Sequence, residues 1–481
     1  MTEKDLEGTT ITELAPQIKS RRVSPVELTD LFLKRIERIN PLINSYTTVT
    51  EGSAREQAQA AEDEIRRDQY RGPLHGIPVS VKENICIKGV RTTAGSKALA
   101  EWVPEHDATI VQRIREAGAV LLGKTNMHEW AAGGTTINPF YGTTRNPWDR
   151  SRIAAGSSGG SGAAVATSLC LASLGTDNGG SVRNPASVCG VVGFKPTFGR
   201  LSHFGGVDGS GGYSTDHFGI LTKTVADCGA VLQATAGFDS KDPRCADEPV
   251  PDYAKFIGQP IGELRIGLIE GYFDRLMVRD VRAAFDNVIE QLKKLGAKIE
   301  TVRVAHMNLI SPVWACITRS ENASAHVPYL KTRPRDYSPG LLRQIVSSML
   351  IPAGTYMTAQ RVRRLICEEF DEALSRVDVI VTPTSPMAAP TIEECEQGFV
   401  IADGKKISLR DTDVNFRSLG TAPFNVTGHP ALTVCCGFTP NDLPIGMQIV
   451  GGVFDEGTVL RVAHGYEAAT EWHRRAPELL Y

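Results

Sequence analysis

The sequence predicts an α/β fold built on a large mixed sheet. Three observations carry this. Amphipathic helices and short apolar strands alternate along the 481 residues without a low-complexity linker. A helix–Gly-Ala–strand unit occurs at 107–123 and recurs at 281–304, as in a plain α/β building block. Residues 377–381 (VDVIV) and 445–450 (IGMQIV) read as buried strands.

Taken in order, Ser24-Pro25-Val26-Glu27 is a helix start, with Ser24 as cap and Glu27 closing a capping box. Apolar residues follow at helical spacing to Ile39, and Asn40-Pro41 is expected to stop the helix. Residues 53–69 form a more polar helix. Ile77, Val79 and Val81 alternate as in a strand, which puts Lys82 at its C-terminal end. Residues 118–125 (GAVLLGKT) match the phosphate-loop pattern. However, a helix precedes them and their centre is four strand formers, so no nucleotide site follows. His128-Glu129 lacks the second histidine of a zinc motif. Helices are expected at 223–236 and 355–376, strands at 266–269 and 431–434, a last helix from Glu456, and an exposed excursion at 391–412.

Composition excludes several classes. A hydrophobic content of 41% supports a sizeable core. A formal charge of −3 without a Lys/Arg stripe gives no footprint for nucleic acid. No apolar run reaches the ~18 residues of a membrane span, and the first residues carry no secretory signal. The ten cysteines are scattered, as free thiols in a reducing cytoplasm would be.

The chemistry concentrates in residues 154–195, which are poor in bulky side chains and rich in Gly, Ser and Ala. Two serine-glycine turns, 156–161 (GSSGGS) and 179–181 (GGS), flank an apolar segment. Ser181 follows an apolar strand and two glycines, so Asn178, Gly179 and Gly180 can turn amides toward a carbonyl oxygen. This reads as the reaction centre of a hydrolase with Ser181 as nucleophile. A serine needs a base: His203 or His217 brought in by folding, or a desolvated Lys82. Residues 156–160 also match a nucleophile elbow with Ser158 as nucleophile, but the polar loop before them is no strand.

These residues together resemble the amidase signature family. Lys82 in VKEN (81–84), GSSGGS (156–161), GTDNGGSVRNPA (175–186), GFKPTFGRLS (193–202) and VTPT (381–384) all fit. The serine spacing, 181 − 157 = 24, fits too. The similarity runs from about residue 10 to residue 475.

The resemblance implies a single domain over 1–481: a large mixed twisted sheet covered by helices on both faces. Residues 1–70 would be a helical part packed on the core or at a subunit interface. It implies Ser181 as the acyl-forming nucleophile, Ser157 in a cis peptide as relay, and Lys82 as base. Ser158, Asp177 and Arg183 would support them, with Ala131 lining the substrate pocket. Pocket walls are expected from 125–145, 203–218, 305–360 and 411–425. No metal or cofactor is implied, and a cytoplasmic homodimer is expected.

Relatives that serve as the A subunit of tRNA-dependent amidotransferases carry a Tyr-rich helix and an Asp before their Pro-Val-Asn segment. Here 354–360 read GTYMTAQ, and 416–422 (FRSLGTA) hold no acidic residue. The expectation is therefore a stand-alone amidase on a small-molecule amide, without nucleic acid. The alternative is a glutaminase-type A subunit.

Overall fold

The structure, a computed structural model, describes residues 2–275, 277–409 and 419–478. The chain opens with α1 (Ile11–Lys19), α2 (Pro25–Ile43), β1 (Tyr46–Val49) and α3 (Glu51–Arg66). It continues through β2 (Pro78–Lys82), α4 (Thr109–Glu116), β3 (Val120–Thr125), α5 (Gly159–Ala166), β4 (Ala172–Asp177) and α6 (Arg183–Cys189). Then come β5 (Val192–Lys195), β6 (His217–Thr222), α7 (Val225–Thr235), β7 (Arg265–Ile269), α8 (Arg279–Lys294) and β8 (Lys298–Val302). Three helices follow, α9 (Ile310–Thr332), α10 (Pro339–Ser348) and α11 (Ala353–Arg376), before β9 (Val379–Pro383). The last elements are α12 (Ile392–Gln397), β10 (Phe399–Ala402), β11 (Lys405–Ser408), α13 (Pro423–Val426), β12 (Ala431–Phe438), β13 (Pro444–Val450) and α14 (Glu456–Ala468).

Eleven of the described strands form one mixed sheet, in the order β1-β3-β2-β4-β6-β5-β12-β13-β9-β7-β8, flanked by helices. β2 runs parallel to both β3 and β4, while β6 returns antiparallel beside β4. The carboxyl ends of β2, β3 and β4 therefore lie together on one edge, where open α/β sheets hold their ligands. One cluster of buried apolar side chains joins the first helices to the last, from Leu6 and Ile36 through Val79, Leu174 and Leu232 to Tyr466.

Local signals mostly hold. Ser24 Oγ accepts from Glu27 N at 3.2 Å, but it donates to the Glu62 side chain, so the cap forms without the reciprocal box. α2 runs past Asn40-Pro41 to Ile43. A proline this close to the end removes one helical bond, and Asn44, at φ 53°, closes the helix with its N–H on Asn40 O at 2.7 Å. The phosphate-loop match is a fully buried strand, β3, and Lys124 Nζ is bound to Ile85 O and Thr92 Oγ1. The predicted excursion at 391–412 is a short helix and a β10–β11 hairpin as far as residue 409. Its remainder, and most of the 411–425 wall, lie outside the described residues. No described helix is long and apolar enough to cross a membrane.

Candidate active site

α5 explains the composition of the serine-glycine stretch. Its residues, GGSGAAVA, are all buried, and the backbone of neighbouring segments presses directly on them. A Cβ at Gly160 would lie 2.5 Å from Asn126 N and from Ser45 O, closer than any side chain can stand. Only small residues let this helix pack so closely on the segments just before β1 and just after β3.

Just before α5 the chain makes a cis peptide at Gly156-Ser157. The turn is pinned from both sides. Ser157 O accepts from His128 N at 3.1 Å, and Ser158 N donates to Ser181 O at 3.1 Å. The two serine turns, distant along the chain, are thus bonded to each other. Ser158 Oγ donates to Thr176 O at 3.2 Å, so its hydroxyl is spent on holding this arrangement.

Lys82 ends β2 and is completely buried. Its Nζ donates to Ser157 Oγ at 2.7 Å and to Thr176 Oγ1 at 2.7 Å. Asn84 Nδ2 donates to the same threonine oxygen at 3.1 Å. Burial draws the Lys82 pKa from 10.5 down to about 7, against the pull of Asp216 and Asp177. The amine is therefore half deprotonated near neutral pH.

Ser181 lies half-buried at the turn between β4 and α6. Asp177, the last residue of β4, ties this turn together. Its carboxylate accepts from Gly180 N at 2.9 Å, Val182 N at 3.1 Å and Arg183 N at 3.3 Å. Arg183 holds it from the side, with Nε and Nη2 at 3.0 and 2.8 Å. The same guanidinium reaches Thr421 O, Gln448 Oε1 and Asn425 Oδ1. Burial alone would raise the Asp177 pKa, but the Arg183 charge and the hydrogen bonds hold it well below the usual carboxylate range.

Gly180 was expected among the amides facing the oxyanion. Its N–H is instead taken by Asp177 at 2.9 Å, in a turn where Gly180 stands at φ +114°. The Gly179 and Ser181 amides have no acceptor among the described residues. The Asn178 peptide oxygen receives the Trp314 indole N–H at 2.7 Å, and Asn178 Oδ1 receives Thr215 Oγ1 at 2.5 Å. Ala131 sits in a turn with two successive positive φ angles, 50° at Trp130 and 54° at Ala131, and its N–H is on His128 O at 2.9 Å. The turn begins at His128, whose amide holds Ser157.

The structure thus brings Lys82 and Ser157 into contact and joins the Ser157 turn to Ser181 through backbone. The Ser181 hydroxyl has no hydrogen-bond partner among the described residues. Thr176 and Asn84 lie inside the quoted motifs 175–186 and 81–84, and Trp314 and Asn425 inside the expected walls 305–360 and 411–425, but the sequence reading gave none of the four a role. Among the described residues, no group of His, Cys, Asp and Glu is placed to hold a metal ion.

Comparison with known proteins supplies the family. The family model described as Amidase matches residues 27–460. The A subunit of glutamyl-tRNA(Gln) amidotransferase from Microcystis aeruginosa is 39% identical over 493 residues, covering 98% of this chain and 99% of that protein. A solved structure described as a vestigial protein complex revealing the origins of an s-triazine catabolic enzyme aligns at a TM-score of 0.89 and 35% identity, over 96% and 98% of the two chains. The A subunit of the glutamyl-tRNA(Gln) enzyme from Thermotoga maritima aligns at 0.81 and 31%, over 100% and 98%. The Microcystis and Thermotoga relatives overturn the expectation of a homodimer acting on a small-molecule amide without nucleic acid: both are named as the A subunit of a glutamyl-tRNA(Gln) amidotransferase, and the similarity extends end to end. The chain belongs to the amidase signature family and is a serine amidohydrolase, an enzyme of amide carbon–nitrogen bonds.

Proposed function

We propose that the chain hydrolyses a carboxamide through an acyl–Ser181 intermediate, with Lys82 as base acting through Ser157. We further propose that it works as the A-type, glutaminase subunit of a tRNA-dependent amidotransferase. The observation that carries the chemistry is the 2.7 Å contact of a fully buried lysine with Ser157.

Neutral Lys82 takes the Ser157 proton while Ser157 takes that of Ser181. Ser181 Oγ then bonds to the amide carbon, and the oxygen becomes an oxyanion facing the Gly179 and Ser181 amides. The carbon–nitrogen bond breaks as the relay returns a proton to the leaving nitrogen, which departs as ammonia. Water, deprotonated along the same relay, attacks the ester and releases the acid. Asp177 and Arg183 keep the Ser181 turn in place and do not touch the reacting atoms.

The glutaminase role rests on the 39% identity across nearly the whole of both proteins. A second reading, a carboxamide other than glutamine, is favoured by residues 416–422, which hold no acidic residue before Pro423. Ammonia release from L-glutamine, measured on the chain with its co-purifying partners, separates the two. Glutamine turnover with amidation of Glu-tRNA supports the first reading. Turnover of other carboxamides without glutamine supports the second. Ser181→Ala should abolish either activity, and substantial residual turnover would remove Ser181 as nucleophile.

A further inference from the structure

Lys82 must pass between amine and ammonium in a buried site, and a buried ammonium needs a counter-charge. Two carboxylates bear on it, Asp216 and Asp177. Asp177 is already neutralised, because the fully buried Arg183 guanidinium contacts it at 2.8 Å. Asp216 is not. Its Oδ2 meets His203 Nε2 at 2.9 Å, and its Oδ1, buried, has no hydrogen-bond partner among the described residues.

The topology brings Asp216 to the relay. It immediately precedes β6, which pairs with β4 so that Phe218 stands opposite Thr176. Thr176 is the residue whose hydroxyl holds Lys82 Nζ. The His203–Asp216 pair is also built into the fold. The His203 ring stacks on Phe218 at 4.3 Å between centroids, and His203 N donates to Asp242 Oδ2 at 2.6 Å. A Cβ at Gly206 would come within 2.6 Å of the His203 ring, and one at Gly211 within 2.6 Å of Asp216 Cγ. The glycines of this loop leave the space the pair occupies.

The other charged or titratable groups nearby are committed elsewhere. His217 Nδ1 is turned to Thr215 O at 2.8 Å, and burial pushes this imidazole far down. Lys195, also pushed down by burial, is bound to His429 O at 2.6 Å. Asp242 is paired with Arg244 at 2.9 Å.

We propose that Asp216, held by His203, is a positioning residue for Lys82: its carboxylate is the counter-charge against which Lys82 takes up and gives back the relay proton. The inference rests on Lys82 being the base. A nearby negative charge favours the ammonium, so it offsets part of the burial penalty. Without it, Lys82 loses its proton at lower pH and becomes a weaker base.

The test uses the full-length chain and phenylmethanesulfonyl fluoride. Ser181 Oγ displaces fluoride, its proton leaves along the relay, and mass spectrometry counts the adduct as a function of pH. The wild-type rate should rise through about pH 7. Asp216→Asn should move that limb down by about one pH unit, and Asp216→Glu should return it. Asp216→Ser, smaller than the native residue, serves as a second charge-removing variant. A limb that stays in place in a natively melting Asp216→Asn or Asp216→Ser variant overturns the proposal. If instead the wild type shows no such limb, or Lys82→Met keeps it, the assignment of Lys82 as base is what fails.

Discussion

Replacing Lys82 by Met tests the relay at the atom on which it turns. The ammonium pKa falls from 10.5 to about 7, a difference of 10.5 − 7 = 3.5. At pH 7 about half the molecules then carry a free amine, against roughly one in 3,000 for an ordinary lysine. Met keeps the length and volume of the stem and removes the nitrogen. Ser157 Oγ loses its 2.7 Å partner, while Thr176 Oγ1 keeps the Asn84 donor at 3.1 Å. A positioned base contributes about 10²–10⁴ in rate. The kcat/KM for amide hydrolysis should therefore fall by about 10³ above neutral pH. Its pH dependence should also go: the wild type should rise tenfold per unit below about pH 7 and level off above, whereas the variant stays flat. Stability should hold, because an apolar isostere in place of a buried amine is neutral or favourable, offset by about 1 kcal/mol for the orphaned serine hydroxyl. Ammonia release across pH, with melting curves alongside, measures both. A Lys82→Met enzyme that keeps the limb near pH 7, or works within tenfold of wild type, would refute the relay.

Other perturbations probe the supporting structure. Arg183→Met leaves the Asp177 carboxylate buried and unpaired, which should cost about 3–5 kcal/mol in denaturant titrations. Because the folded-state pKa of Asp177 is depressed, its stabilisation is present at neutral pH and lost as pH falls. The deficit of the variant should accordingly shrink below about pH 4; a deficit independent of pH would count against the ion pair as its cause. Gly179→Ala brings a Cβ within 2.7 Å of the Trp314 ring, so kcat should drop about 10²-fold with little change in melting. Trp314→Leu should restore part of that loss, and no restoration would mean that the clash is not the cause. Burial pushes Glu467 up to about 8, above its unfolded value, so the stability it contributes is present at acid pH and lost as pH rises through 8. Glu467→Gln should thus melt later than wild type above pH 8 and alike near pH 5, and equal melting at both would exclude an ionising Glu467.

What could be read from the sequence was what short-range pattern encodes. Alternation placed Lys82 on a strand end, and the Ser24 cap marked the start of α2. β6 was missed because HFGILT is buried on both faces and shows no alternation. α9 was missed because its apolar residues follow no strong helical stripe and Pro328 lies inside it. Ser181 and Lys82 were legible as candidates from the residues and Ser157 from the resemblance, but the contact of Lys82 with Ser157 is seen only in the fold. Asn425, whose amide meets Asp177 Oδ1 at 2.9 Å from 248 residues away, and Trp314 reach the site only through the tertiary fold. At Gly160 the missing side chain serves the close approach of two chain segments, Ser45 and Asn126, which no local pattern announces. The partner expectation leaned on two short segments, 354–360 and 416–422, against similarity that runs the length of the chain.

If Lys82 is the base as proposed, burial explains why a lysine serves where histidine is the commoner base. Desolvation disfavours the charged form of either group and lowers both pKa values. For Lys82 the fall ends at about 7, inside the working range. For His217, buried close to Asp177 with its Nδ1 on Thr215 O, the same cause pushes the imidazole well below its ordinary 6.5, where it is too weak to take a serine proton. His203 Nε2 is committed to Asp216. A site this dry therefore turns an ordinary lysine into a usable base and an ordinary histidine into a poor one. Lys82→His should be no better than Lys82→Met, since an imidazole placed there would be neutral yet scarcely basic. A histidine variant that recovers even a tenth of wild-type kcat/KM, with its limb near pH 6.5, would show that the site is wetter than its packing implies.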